Sequence, residues 1–166
     1  MGTKTRSFAS VRGAWRLAAL AVVAGVVVLG FVSGANGQGA GMTFQQVPAG
    51  SIDQAQKAFA QKVADTTLTA WTAGRFAPPG ADFSDQMKAG LPVAKQRQAW
   101  DTIRQAFGDY QALTFHEALT SPQLAKHVVY RFRGTFTKGQ PEVRVVTDPA
   151  GKVGGFFVLI WQDKLQ

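Results

Sequence analysis

The spacing of hydrophobic positions changes once along the chain, near Gly108, and divides a helical part from a strand part. From Ile52, apolar side chains fall at Ala55, Phe59, Val63 and Ala70, with Ala60, Ala64, Leu68 and Trp71 widening the stripe. A helical period of that width predicts a core-facing helix over 51–73, capped by Ser51 and stopped by Gly74. Ala77-Pro78-Pro79-Gly80 breaks the chain. Asp82 is then placed to cap a short helix that sets Phe83 and Met87 four apart and ends at Gly90. Pro92 suits the first turn of a third helix, whose buried side carries Ala99, Trp100, Ile103, Ala106 and Phe107.

Beyond Gly108 the period falls to two. Over 111–119, Leu113, Phe115 and Leu119 share one side with Glu117, and Thr114 and His116 take the other. Over 127–137, Val128, Tyr130, Phe132, Gly134 and Phe136 form an apolar face opposite Val129, Arg131, Arg133 and Thr135. Residues 142–148 and 153–162 read as two further strands, reached through turns at Lys138–Pro141 and Asp148–Gly151. With Gly139 and Gln140 at the hairpin tip, Phe136 opposes Val143, Gly134 opposes Val145 and Phe132 opposes Thr147. On the polar face that register sets Arg131 opposite Asp148, a surface pair worth up to about 1 kcal/mol. A one-residue slip would turn Arg131 and Arg133 inward, against their desolvation cost. Three helices followed by four antiparallel strands predict an α+β domain with a curved sheet over the helices.

The N-terminal segment is of another kind. Lys4, Arg6, Arg12 and Arg16 precede an uncharged stretch from Leu17 to Val32, and Ser33-Gly34-Ala35 supplies small residues at a cleavage site. Residues 1–35 read as a signal peptide that exports the rest to the periplasm or outside the cell. A retained anchor, crossing the membrane through residues 14–32, is the alternative. Residues 36–50, with four Gly, one Pro and no charge, read as a flexible linker to a domain over 51–166.

Composition narrows the chemistry. The chain carries 18 Lys+Arg and 10 Asp+Glu, a formal +8. Without the four basic residues of the export segment the balance is 14 to 10, or +4. The remaining lysines are scattered, so nucleic acid is a poor partner. With no Cys and two His, disulfides, thiol nucleophiles, Cys-ligated metals and three-His zinc sites are excluded. His116 and His127 match no ligand spacing, and no metal, cofactor or catalytic residue is assigned. Ser51, Ser84 and Ser121 lie outside any G-x-S-x-G setting.

Three stretches carry a family resemblance. Leu91 opens a helix that holds Trp100 and ends in Phe-Gly-Asp-Tyr at 107–110. VVYRFRGTFTKG at 128–139 is followed by PEVRVVTDPAGKVGGFFV at 141–158. Over about 51–162 the chain resembles the nuclear transport factor 2-like superfamily, the cystatin-like α+β cone. Within it, the chain is similar to the exported bacterial domain of unknown function 3887 family. The resemblance implies a pocket between the concave sheet and the long helix. Relatives use that pocket as an isomerase or dehydratase site, as a ligand cavity, or simply as core, so fold alone assigns no reaction.

Eighteen aromatic residues (12 Phe, 4 Trp and 2 Tyr) supply walls for such a pocket or fill a core made without disulfides. Phe59, Trp71, Trp100, Phe115, Tyr130 and Phe132 are the candidate lining for a small apolar ligand. Tyr130 would be the proton donor of an isomerase- or hydratase-type enzyme, but no carboxylate base accompanies it. The last strand is apolar on both sides, so it needs two covers. Helices supply one; a second copy or an envelope partner, meeting Phe156, Val158 and Ile160, supplies the other. The leading expectation is an exported, non-catalytic binding module that dimerises or docks through its sheet. A small-ligand binder, a Tyr130 enzyme and an anchored periplasmic domain like that of a secretion-system scaffold stand as alternatives.

Overall fold

The computed structural model describes residues 42–165; residues 1–35, read above as a signal peptide, lie outside them. Helix α1 (Gln54–Thr72) starts at Asp53, whose carboxylate accepts from the Ala55 and Gln56 amides at 2.9 and 3.0 Å. Ser51 instead closes a short 3-10 turn, Ala49–Ser51. An anionic cap also suits the positive end of the helix dipole, which favours Asp53 over the serine. Helix α2 (Asp85–Gly90) is capped by Ser84, not Asp82. The Asp82 carbonyl accepts from the Val153 amide and Ser84 N–H donates to the Val153 carbonyl, so this loop is drawn onto a strand edge. Helix α3 (Val93–Phe107) follows Pro92 and ends at Gly108, where φ is +82°. Only glycine suits that site, because a Cβ there would also collide with the Thr137 hydroxyl.

The sheet has five antiparallel strands in sequential order: β1 (Gln45–Gln46), β2 (Tyr110–Thr120), β3 (Val128–Phe136), β4 (Glu142–Thr147) and β5 (Val153–Leu159). The fifth, unforeseen strand is β1. It falls inside the segment read as a linker, pairs with Leu119 and Thr120, and is extended by a Val47 N–H bond to the Ala118 carbonyl. Two residues carry no period, which is why composition alone pointed to a linker.

The β3–β4 hairpin keeps the expected faces but not the expected register. Its tip is Thr137-Lys138, with Phe136 opposite Gly139, Phe132 opposite Val143 and Arg131 opposite Arg144. The turn is fixed from outside: Thr137 and Lys138 N–H groups donate to the Asp109 and Phe107 carbonyls at the end of α3. Because the shift is an even number of residues, every side chain stays on its face.

A bulge in β2 between Phe115 and Glu117 breaks the expected alternation. Phe115 stays inside, and Glu117 and Leu119 turn to the outer face. The main core lies between the helices and the inner face of the sheet. Leu68, Trp71, Trp100, Tyr130, Phe132, Val143, Val145 and Phe156 are among its buried members. A smaller cluster on the outer face joins Leu119, Val129 and Val146 to Phe44, Phe157 and Leu165. Phe44, just before β1, and Leu165, beyond β5, therefore supply part of the second cover.

The largest departure is Arg131. It lies on the outer face as expected, yet it is wholly buried instead of forming a surface pair with Asp148. Its guanidinium donates to Glu117, to Glu142 Oε2 at 2.5 Å and to the Gln162 carbonyl at 2.5 Å. Arg144 Nε closes the network on Glu142 Oε1 at 2.7 Å. The segment after β5 folds back as a strap over this network, with the Trp161 ring lying 5.0 Å from the Arg131 guanidinium carbon and 4.0 Å from that of Arg133. Burial works against the Arg131 charge, but Glu142 and Glu117 outweigh it and hold the guanidinium above its ordinary range.

Candidate functional site

The six aromatic residues expected to line a cone cavity do come together, as packing. Trp71, Trp100, Tyr130 and Phe132 are buried in one cluster, and Phe59 and Phe115 pack against it. Phe115 meets Phe132 edge-on at 5.8 Å between centroids, and Trp71 meets Phe156 at 5.9 Å. The candidate interface residues separate. Phe156 and Val158 belong to this inner core, because the helices cover their side of β5 and leave Phe157 to the outer one. Ile160 stands just past the strand, 56% exposed.

The acid–base groups are taken up by structure. Burial first, and the Asp53 carboxylate second, raise the pKa of Tyr130; Asp53 itself is occupied in capping α1. Tyr110 donates to Asp65 at 2.5 Å, tying the start of β2 to α1, and burial with that bond raises its pKa strongly. His127 Nδ1 lies 2.6 Å from the Leu124 carbonyl, and His116 meets the Trp161 ring edge-on. Among the described residues no group of three His, Asp or Glu could hold a metal.

Both tyrosines are favoured in their neutral form by the fold, so their stabilisation is present below the unfolded tyrosine pKa of about 10 and is lost as pH rises above it. The chain has only these two tyrosines. Near-ultraviolet phenolate absorbance is therefore expected to rise at higher pH in the folded protein than in the unfolded chain. In denaturant both should titrate near 10. A tyrosine ionising near pH 10 in the folded chain would contradict this environment.

A surface cleft of about 670 Å³ opens elsewhere, at the junction of the C-terminal end of α1, the Gly74–Gly80 loop and the start of α3. Gly74, at φ +70°, stops α1, and Pro78-Pro79 stiffens the return. Gln96 locks this region from beneath. Wholly inside, it accepts from Trp71 Nε1 at 3.1 Å and donates to the Ala77 and Leu91 carbonyls at 2.7 and 3.1 Å. Trp71, Phe83 and Leu91 give the cleft apolar walls. Above them the Phe76 ring lies 6.2 Å from that of Trp71, and the Arg97 guanidinium sits over Phe76 at 4.8 Å. Arg75 stands at the same mouth. The lining has Thr66, Thr67, Gln96 and the two arginines as its polar side chains, with no Asp, Glu, His, Ser or Tyr.

Of the six expected lining residues only Trp71 reaches this cleft. Arg75, Phe76, Gln96 and Arg97 carried no motif. The one local signal was an arginine and an aromatic residue between a helix stop and a Pro-Pro turn.

Neither the curated proteins nor the solved structures include a match to this sequence. A family model does match, from Ala64 within α1 to Phe156 within β5, which takes in the cleft's main elements and most of the sheet. The chain belongs to the family described as a protein of unknown function, DUF3887.

Proposed function

We propose that this chain is an exported, non-catalytic binding module that holds a small, largely apolar ligand in the cleft beside α1 and α3. The observation that carries this reading is the make-up of the cleft. Its volume is within the range of about 300–1,000 Å³ usual for ligand sites, its walls are mainly apolar, and its lining lacks any acid, base or activated nucleophile. Such a site can hold and orient a molecule but has nothing with which to move a proton. The packed inner core argues against a ligand between sheet and helix, and the occupied Asp53 leaves Tyr130 without a base. Export rests on the basic and apolar pattern of residues 1–35. The α+β architecture suits a nuclear transport factor 2-like cone whose interior serves as core.

The neutral dye N-phenyl-1-naphthylamine, bright only in apolar surroundings, tests the reading. It should bind the full chain at one site, and Ala70→Trp, which fills the cleft from α1, should abolish that binding without unfolding the protein. Absence of binding to the wild type, or equal binding to Ala70→Trp, would overturn it.

A further inference from the structure

The mouth of the cleft says more about its ligand than the walls do. Arg75 and Arg97 both line it, both are exposed, and neither forms an ion pair with a carboxylate of the described residues. Of the other arginines among the described residues, Arg104 pairs with Asp109, Arg131 and Arg144 pair with Glu142, and Arg133 lies over the Trp161 ring away from the cleft. Two guanidiniums thus stand at one opening with no opposing charge in its lining.

Arg97 is held in place. Its guanidinium covers the Phe76 ring, which packs on Trp71, whose indole is fixed by Gln96. Stacking uses one face of the planar group and leaves its N–H donors, which lie in the plane, free to bind. Carboxylate and phosphate oxygens match that planar fork in pairs. The walls below are mainly apolar, with Thr66, Thr67 and Gln96 their only uncharged polar side chains, so the complementary molecule has one anionic end and one largely apolar body.

Resting on the binding reading above, we infer that the ligand is a free amphipathic acid, its apolar body lying on Trp71, Phe83 and Leu91 and its single anionic head held between Arg75 and Arg97. A free acid is favoured over the same head on a bilayer lipid. A tail drawn into the cleft with its head at the mouth must first leave its membrane, and a monomeric acid has none to leave.

The test displaces N-phenyl-1-naphthylamine from the full chain with decanoate, decyl phosphate or decanol, which share one tail. Decanoate is expected to displace the dye about tenfold more effectively than decanol, a difference typical of a paired charge-assisted contact. In Arg75→Gln/Arg97→Gln that preference should vanish while the dye still binds; Arg97→Lys should restore part of it. Equal displacement by decanol and decanoate, or a preference that survives the double substitution, overturns the amphipathic acid and leaves the cleft intact as a binding site. Failure of the dye to bind overturns the cleft itself. Flotation with phosphatidylglycerol vesicles separates the sources of the anion. No co-flotation that depends on Arg75 and Arg97 is expected; co-flotation lost in Arg75→Gln/Arg97→Gln, without displacement of the dye by decanoate or decyl phosphate, would overturn the free acid.

Discussion

Replacing Arg131 by methionine is expected to destabilise the protein by about 3–5 kcal/mol, the usual cost of removing one partner from a buried charge pair. Glu142 is fully buried and takes both Arg131 and Arg144. Without Arg131, Glu142 keeps Arg144 on Oε1 and loses the Arg131 donor on Oε2. The companion substitution separates charge pairing from packing. Arg131→Met/Glu142→Leu removes both fully buried charges and leaves Glu117 and Arg144, whose side chains retain 14% and 18% exposure. Because replacing a buried pair by apolar groups is often near neutral, the double variant should be more stable than Arg131→Met alone. Chemical denaturation reads both. Strictly additive losses would show that the network acts as separate contacts. Arg131 Nε is buried with no partner, so methionine forfeits nothing at that atom.

The second large effect belongs to Gln96. Gln96→Leu keeps the volume but strands the Trp71 indole N–H and the carbonyls of Ala77 and Leu91. Each buried group left unpaired costs about 1–3 kcal/mol. Ala77 is exposed and its carbonyl can turn to water, so the total should be about 2–4 kcal/mol by denaturation. The same substitution should weaken binding of N-phenyl-1-naphthylamine, since Gln96 fixes both Trp71 and the loop that walls the cleft. Gln96→Glu keeps the acceptor for Trp71 but sets a buried carboxylate against the Ala77 and Leu91 carbonyls, and should cost at least as much as leucine at neutral pH. A neutral Gln96→Leu would mean that the loop is held by other contacts.

Which face each strand shows was legible where the period of two ran unbroken. Tyr130, Phe132, Val143 and Val145 are inside as the alternation required. What the period could not register was an extra residue. The bulge at His116 sends Glu117 outward, and that placement gives Arg131 a second carboxylate, on β2, beside Glu142 of β4. Desolvation correctly barred Arg131 from the apolar core. It could not foretell that the outer face would also be closed, because the cover is the strap after Leu159, which lacks any local signal. The hairpin register failed for a similar reason. Gly139-Gln140 is the better turn by composition, and Thr137-Lys138 takes its place through bonds to Asp109 and Phe107 in another element.

The two-sided last strand was read correctly, but its sides were not. Phe156-Val158 and Phe157-Leu159 are equally apolar, and nothing local says which pair the helices will meet. The cleft was the least legible feature. It depends on α1, the Gly74–Gly80 loop and α3 meeting, and Arg75 and Arg97 become neighbours of one opening only then. Of the six aromatic residues singled out for a pocket only Trp71 reaches the cleft, and all six pack in or against the core, as large side chains do in a domain that has no disulfides to stabilise it.

The central claim is the location of binding, and amide chemical-shift mapping of the full chain during titration with N-phenyl-1-naphthylamine tests it most directly. Shifts confined to the end of α1, the Gly74–Gly80 loop and the first turn of α3, and absent in Ala70→Trp, are the predicted result. Shifts centred on Trp161 and the outer face of the sheet, or on Tyr130 and Phe132 within the core, would contradict it.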